Sequence, residues 1–516
     1  MWIATAERML GADRRAMDEF GVPAKVLMER AGMAVFATVQ KMLPEGGRLT
    51  VMCGKGNNGA DGLVFARLAK EDGRYQVDCL LAATEDQLGD LCGEQLRISR
   101  AQGVQPIFYD DARWTKRSEH MSCRDLIIDA LLGVGGKGEV HGPVQEAISA
   151  INRSGVPVVS IDVPSGIHTD TGEELGESVW ALRTITFSQP KPYLFQGVGL
   201  EHAGFWTVED IGVPKVILQE ATEARLLSRD TVAHLVPERL RGAHKGDSGS
   251  VLIIAGSRNM RGAAVLAARA ALRSGAGLVT VASIAPVLDA VAAQLPEALV
   301  LELPEEDGAI AESAVDLLVG TKAHAAVIGP GLSGKAKPFL AKLFPRWEKP
   351  CVLDADALNV LGDGLRPPDN ECVMTPHPGE MSRLLRLSVA EIQADRFAIV
   401  RQATERYGKA ILLKGPYSVV GEPGQPLLVN HTGNPGMATG GMGDVLSGVI
   451  GTLLAQELPA YWAAGVGMHW HGAAADLCAA SIGETGYTAG EVADALPKAR
   501  SKLLSECESR CSSRCS

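Results

Sequence analysis

Short apolar runs alternate along the whole chain with longer segments in which apolar positions recur every three to four residues. In the first half the runs fall at residues 49–54, 76–81, 125–131, 157–163, 183–187 and 205–208. Runs of this kind separated by helical patterns predict a parallel sheet covered on both faces. An amphipathic helix pair precedes them, around Met17-Asp-Glu-Phe20 and Val26-Leu-Met-Glu-Arg-Ala-Gly-Met33. The pattern restarts at 250–254 and continues through 278–282, 326–329, 351–354, 373–374 and 410–414. An alanine-rich helix over 263–273 carries Ala264, Ala267, Ala268 and Ala271 on one smooth face, suited to close packing. Residues 213–249 read as linker, with the boundary near Gln219. The expected organisation is α/β in two domains, 1–219 and 220–500, followed by a Cys/Ser tail over 501–516 without fixed structure.

Composition narrows the classes. A chain of 516 residues exceeds one ordinary core, and 46% hydrophobic with only 22% charged residues describes a well-buried globular protein. The net charge of −11 argues against a nucleic-acid surface. No run of about eighteen apolar residues occurs, and the start Met-Trp-Ile-Ala-Thr-Ala-Glu-Arg lacks signal-peptide order, so a cytoplasmic protein that does not enter membranes is expected. Cysteines such as Cys53 and Cys79 lie inside apolar runs, which suits reduced core thiols. Only Cys507, Cys511 and Cys515 break that pattern, in a segment that reads as a frayed terminus rather than a metal site.

In parallel sheets ligands bind beyond the carboxyl ends of the strands, which selects the loops after each run. Three stand out in the first half. Gly54-Lys-Gly-Asn-Asn58-Gly-Ala-Asp61-Gly62 is either a turn capped by Asp61 or an ion cradle of amides and Asn oxygens. Asp129-Ala-Leu-Leu-Gly133-Val-Gly135-Gly-Lys-Gly138 formally matches the dinucleotide fingerprint, with Asp162 as a ribose ligand. Against that reading, Gly142-Pro143 intervenes, and Pro143 is better placed as the first helical residue. Ile161-Asp162-Val-Pro-Ser165-Gly166 adds a second strand-end carboxylate, and Asp129 and Asp162 are expected to face one crevice, where paired acids suit proton transfer or an oxygen-ligated cation; two capping acids are the structural alternative.

The second half carries Gly329-Pro-Gly331-Leu, Asp354-Ala-Asp356, Thr375-Pro-His377-Pro-Gly-Glu380 and Lys414-Gly-Pro-Tyr-Ser418. His377 between two prolines is held exposed, which favours a ligand contact. Lys414 at a strand end can meet a phosphate or remain solvated, and Asp356 is most simply a helix cap. His469 and His471 stand two apart on a helical pattern and so face different ways, which disfavours a metal pair. The stretch Asn434-Pro-Gly-Met-Ala-Thr-Gly-Gly-Met-Gly-Asp-Val-Leu-Ser-Gly448 combines uncovered amides at a helix start with one carboxylate. Such amides bind phosphate. Asp444 beside them is either the cap or a base that takes a proton from an attacking hydroxyl.

These motifs resemble two families in sequence. The first half, including Met28-Glu-Arg-Ala-Gly32 and Ser188-Gln-Pro-Lys-Pro192, resembles the NAD(P)HX epimerases, which implies a Rossmann-like three-layer sandwich. The second resembles the ADP-dependent NAD(P)HX dehydratases of the ribokinase-like superfamily, which implies an α/β/α domain. The first resemblance implies that Asn57, Asn58, Gly59, Ala60 and Asp61, together with Gly133, Val134, Gly135, Gly136, Lys137, Gly138 and Glu139, line the hydrated nicotinamide. It implies further that Asn58, Asp129 and Ser165 bind potassium, that Asp162 contacts the ligand as candidate base, and that Lys191 is the second choice. Ala60 departs from the usual glycine, and its methyl group is expected to narrow the phosphate approach. The second resemblance implies that Ala263, Gly331, His377 and Asp444 meet the hydrate. It also assigns Lys414, Gly415, Pro416, Tyr417, Ser418 and Gly443 to the adenine nucleotide, with ADP as donor and Mg2+ accompanying it.

The implied reaction repairs NADH or NADPH that has gained water at C6 of the ring. Asp444 takes the hydroxyl proton, ADP phosphorylates the hydrate and leaves AMP, and loss of phosphate restores the nicotinamide. The first half recycles the R epimer, and a homo-oligomer is implied. Two rivals stay open from the residues alone: an ordinary sugar or vitamin-precursor kinase in the second half, and a binding scaffold in the first.

Overall fold

The strand and helix alternation folds as two units, residues 1–224 and 225–516. The computed structural model describes residues 1–512 except 221, 240 and 243. The sequence places the boundary near Gln219, but the units divide after Ala224. The reason is local: Glu220 accepts from Arg8 at 2.7 Å and Arg15 at 2.9 Å, and Thr222 donates to the Ile3 carbonyl at 2.6 Å, which holds this stretch on the first unit.

The first unit is built on β1 (Gly47–Cys53), β2 (Tyr75–Leu81), β3 (Ile107–Phe108), β4 (Leu126–Ala130), β5 (Val158–Ile161), β6 (Arg183–Phe187) and β7 (Phe205–Glu209). Their lateral order is β3–β2–β1–β4–β5–β6–β7, and every pairing is parallel. Its main helices are α1 (Ala6–Asp18), α2 (Ala24–Met42), α3 (Asn57–Asp72) and α4 (Pro143–Ser154). Burial follows the strand period of two. Leu49, Val51 and Cys53 of β1 pack into the core with α2 and α3, while Met52 faces Ile148 and Ile151 of α4. The order reverses between β1 and β4, which opens a crevice above their carboxyl ends.

The second unit contains β8 (Ser250–Ile254), β9 (Leu278–Ser283), β10 (Leu299–Glu302), β11 (Ala325–Ile328), β12 (Cys351–Leu353), β13 (Cys372–Met374), β14 (Ala410–Leu413), β15 (Val419–Gly421) and β16 (Leu427–Val429). They lie in the order β16–β15–β14–β13–β12–β11–β8–β9–β10. Pairings from β14 to β10 are parallel, whereas β14–β15 and β15–β16 are antiparallel. These last two strands are absent from the sequence reading because each apolar run is too short to show a period. The helices that shape the site are α5 (Arg261–Arg273), α6 (Pro378–Leu385), α7 (Met442–Ala455), α8 (Ala460–Ile482) and α9 (Ala489–Ser512). A Cβ on Gly448 of α7 would overlap the Ala267 carbonyl of α5, so only glycine permits this approach.

The tail expected without structure from residue 501 is instead helical as far as Ser512, as a continuation of α9. Cys515 and the side chains of Cys507 and Cys511 lie outside the described residues. Cys53, Cys79, Cys92, Cys351, Cys372 and Cys478 are buried free thiols. Among the described residues no helix is long and apolar enough to cross a membrane.

Candidate active sites

In the first unit the crevice is a cavity of about 890 Å³. Asn57, Asn58, Asp61, Asp162 and residues 133–139 line it, as does Lys191. Helix α3 begins at Asn57 behind Gly56, so Asp61 is not a turn cap but lies inside the first turns. Burial pushes the Asp61 carboxyl well above the usual range, and Asp162 and Asp13 push the same way. Gly59 and Ala60 point away from the cavity: Gly59 sits against the Gly54 carbonyl and Ala60 is fully buried. The Ala60 methyl group therefore meets the core, not the phosphate approach. The glycine run 133–138 opens no helix; α4 starts at Pro143 after Gly142.

Asp162 follows β5 in a three-residue γ-turn, with φ +66° and a 2.8 Å bond from the Val163 amide to the Ile161 carbonyl. Strain of this kind persists where the surroundings hold it. Here the Lys191 ammonium, 1% exposed, donates to Asp162 Oδ1 at 2.6 Å, and the Thr186 hydroxyl does so at 3.0 Å. Lys191 also donates to the Thr186 hydroxyl at 2.7 Å and to the Phe187 carbonyl at 2.9 Å.

Asp129 does not share this crevice with Asp162. It lies within β4 opposite Ser160 of β5, is fully buried, and is not among the residues that line the cavity. Its Oδ1 accepts from Ser165 Oγ at 2.5 Å, and its Oδ2 accepts from the Ser165 amide at 2.9 Å and Ser160 Oγ at 2.8 Å. Burial raises its pKa and these bonds oppose the rise. Asn58 and Ser165 meet at Leu132: Asn58 Nδ2 donates to its carbonyl at 2.8 Å, and Ser165 Oγ accepts from its amide at 2.9 Å. The three predicted potassium ligands thus surround one loop, outside imidazole or thiol chemistry. Their oxygen set fits a hard cation.

In the second unit, Lys414 and Asp354 form a buried pair at 2.7 Å. Asp354 also accepts from Thr375 Oγ1 at 2.9 Å and from Ser447 Oγ of α7 at 2.8 Å. Burial raises the Asp354 pKa, but Lys414 and these bonds bring it below the ordinary carboxylate range. Lys414 is therefore no solvated surface lysine. Its pKa is raised: burial lowers it, and Asp354 and Glu380 more than offset that. Gly443 lies beside this pair, since a Cβ there would stand 3.2 Å from Lys414 Nζ.

Gly441 caps α7 at φ +91°, and a Cβ on it would press on Leu266 of α5. Asp444 falls in the first turn of α7 and is not its cap; its carboxylate makes no hydrogen bond among the described residues. Burial, reinforced by Asp354 and opposed by Lys414, pushes Asp444 up to about 7.

His377 is half-exposed and caps α6, accepting from the Gly379 amide at 3.0 Å, while Glu380 accepts from the His377 amide at 2.8 Å. Burial and Lys414 lower the His377 pKa. Asp356 is likewise not a cap: it follows Ala355, at φ +49°, and accepts from the Ser333 amide at 2.8 Å. Gly331 and Ala263 are brought together, because a Cβ on Gly331 would lie 2.9 Å from that of Ala263. Gly415 and Pro416 are exposed, Tyr417 takes φ +46°, and Ser418 Oγ closes the loop onto the Gly415 carbonyl at 3.0 Å. His469 and His471 are buried, and burial lowers both. Sequence reasoning missed Asp354 as the partner of Lys414 and Ser447 as a donor to Asp354, and it missed Asp13, which lines the first cavity. The spacing of Glu380 three residues after His377 was the available signal for that capping box.

Comparison with known proteins gives matches over nearly the full length. The bifunctional NAD(P)H-hydrate repair enzyme Nnr of Moorella thermoacetica is 38% identical, covering 96% of this chain and 96% of that protein. Its counterpart in Coxiella burnetii is 40% identical over 95% of this chain and 97% of its own length. The chain belongs to the family of bifunctional NAD(P)H-hydrate repair enzymes. It is accordingly an NAD(P)H-hydrate epimerase and dehydratase. Within it, residues 24–193 match the YjeF-related N-terminal family and residues 251–498 the NAD(P)H-hydrate dehydratase family. A solved ADP/ATP-dependent NAD(P)H-hydrate dehydratase from Bacillus subtilis, co-crystallised with ATP and Mg2+, superimposes with a TM-score of 0.50. It is 30% identical and covers 55% of this chain and all of that one. The second unit therefore has a ribokinase-like fold, and the family sets it apart from ordinary sugar kinases.

Proposed function

We propose that the first unit interconverts the R and S epimers of hydrated NADH and NADPH in the β1/β4 crevice, and that the second dehydrates the S epimer with ADP. The observation that carries the second assignment is Asp444. It is a half-buried carboxylate held near neutrality, without a hydrogen-bond partner among the described residues, at the N-terminal turn of α7. A base in that state takes the C6 hydroxyl proton efficiently near pH 7. The amides over 440–443 hold the phosphoryl group in transfer, and Lys414, oriented by Asp354, balances its charge. Ala263, Gly331 and His377 contact the hydrate, and the loop 414–418 takes the nucleotide.

In the first unit Asp162, fixed by Lys191, removes a proton from the bound hydrate, while Asn57, Asn58, Asp61 and residues 133–139 hold the ligand. Asn58, Asp129 and Ser165 would hold potassium, whose charge would offset Asp129 and steady the Leu132 loop. Mg2+ would accompany the nucleotide phosphates. Asp354 is already met by three donors, which leaves Glu380 the freer carboxylate beside Lys414. We place the enzyme in the cytoplasm as a homo-oligomer, the latter checked by light scattering.

The test follows reduced-nicotinamide absorbance while mixed R and S NADHX is incubated with the protein and ADP, with ATP in parallel. Full recovery with ADP is expected. Recovery that stops at the S fraction would reduce the first unit to a binding scaffold, and no recovery with either nucleotide would overturn the dehydratase assignment in favour of an ordinary kinase.

A further inference from the structure

Helix α1 lends Met9, Leu10, Asp13 and Met17 to the lining of the first-unit cavity. Asp13 stands out among these apolar neighbours. Its Oδ1 is buried and has no hydrogen-bond partner among the described residues. Such an atom is costly to keep, and a leucine there would avoid the cost. Asp162 differs: its Oδ1 is occupied by Lys191 and Thr186.

We propose that Asp13 is a second catalytic residue of the epimerase, the acid that protonates the ring nitrogen while Asp162 takes the C6 hydroxyl proton. The inference rests on the assignment of this cavity to epimerisation. The hydrate carries its hydroxyl on C6, next to ring N1. When Asp162 accepts the O–H proton, that electron pair forms a C6 carbonyl and the C6–N1 bond breaks, its pair going to N1. Asp13 supplies the proton that N1 then needs. Rotation about C5–C6 presents the other carbonyl face; N1 re-attacks, returns its proton to Asp13, and the new alkoxide regains one from Asp162. Atoms and electrons balance without oxidant, reductant or co-reactant.

The electrostatics agree with the geometry. Burial, with Asp162 adding to it and Lys191 opposing, pushes Asp13 up to about 6. A donor serves best when its pKa lies near the working pH. Asp61 in the same cavity is also driven upward, so two carboxyl groups that hold their protons more tightly than an exposed one line the cavity together with the Asp162–Lys191 pair.

The experiment uses the full chain without nucleotide and follows R and S NADHX interconversion by chromatography, above the rate without protein. Asp13→Asn is expected to lower kcat for epimerisation about 100-fold with KM within about threefold, and to leave ADP-driven dehydration of S-NADHX unchanged. Asp13→Ala should show the same loss and recover part of it with added formate. Wild-type kcat in Asp13→Asn, a loss confined to KM, or a folded Asp13→Ala that formate does not rescue would overturn the role. A wild-type chain that does not epimerise would overturn the cavity assignment and this inference with it. An active wild type alongside a fully active Asp13→Asn would overturn this inference alone.

Discussion

The Lys414 ammonium donates to the Asp354 carboxylate across 2.7 Å, with Asp354 2% and Lys414 19% exposed. Asp354 comes from the end of β12 and Lys414 from the end of β14, so two strand ends converge on one charge pair. Ser447 of α7 completes the shell of Asp354, which ties the helix bearing Asp444 to that pair.

Lys414→Met removes the cation and leaves Asp354 buried without its main partner. A cost of about 3–5 kcal/mol is expected, seen as a lower unfolding midpoint, together with a higher KM for the nucleotide. Nucleotide titrations and thermal unfolding of the same variant check both.

Asp444→Asn keeps the side-chain volume and removes the base. Dehydration should fall by about 10²–10⁴-fold while epimerisation continues. NADH formation and R/S interconversion, measured on one preparation, separate the two.

The pH profile follows from the raised pKa of Asp444. Burial and Asp354 favour its protonated form, so the base is depleted below about 7. Dehydratase kcat/KM should rise with pH through that value and level off above it; Asp444→Asn should lack this limb. The sign for stability is opposite. The folded state holds this proton more tightly than the unfolded chain, so the contribution is complete below 3.8 and is lost as pH rises through about 7.

Gly448→Ala places a methyl group against the Ala267 carbonyl, in the contact between α5 and α7. Overpacking of about 1–3 kcal/mol is expected, with dehydratase activity lost at lower temperature than in the wild type and epimerase activity unaffected. Parallel heat-inactivation curves distinguish these outcomes.

Replacing potassium by choline should slow epimerisation without touching dehydration. In Asp129→Asn the response to potassium should disappear, because the carboxylate that gathers Ser160, Ser165 and the Leu131 amide is gone. Initial rates across a potassium series check this.

The sequence determined the alternation of strands and helices, the restart of the pattern near residue 250, and the glycine-bounded turn that leads into α7, whose first turn carries Asp444. Each depends on a short period or on local backbone freedom, so each can be read along the chain. Which side chains meet was decided by the tertiary structure. Asp129 and Asp162 end successive runs, yet one stays within a strand and pairs with its neighbour Ser160, while the γ-turn moves the other into the cavity. Lys414 acquires Asp354, Thr375 and Ser447 as a network because β12, β13 and β14 are adjacent and α7 brings Ser447 to the end of β12. Asp13 enters the same cavity as Asp162 from a helix that no loop motif marks. Periodicity reports which face of an element is apolar; the partners found across strand ends depend on lateral strand order, which only the folded chain specifies.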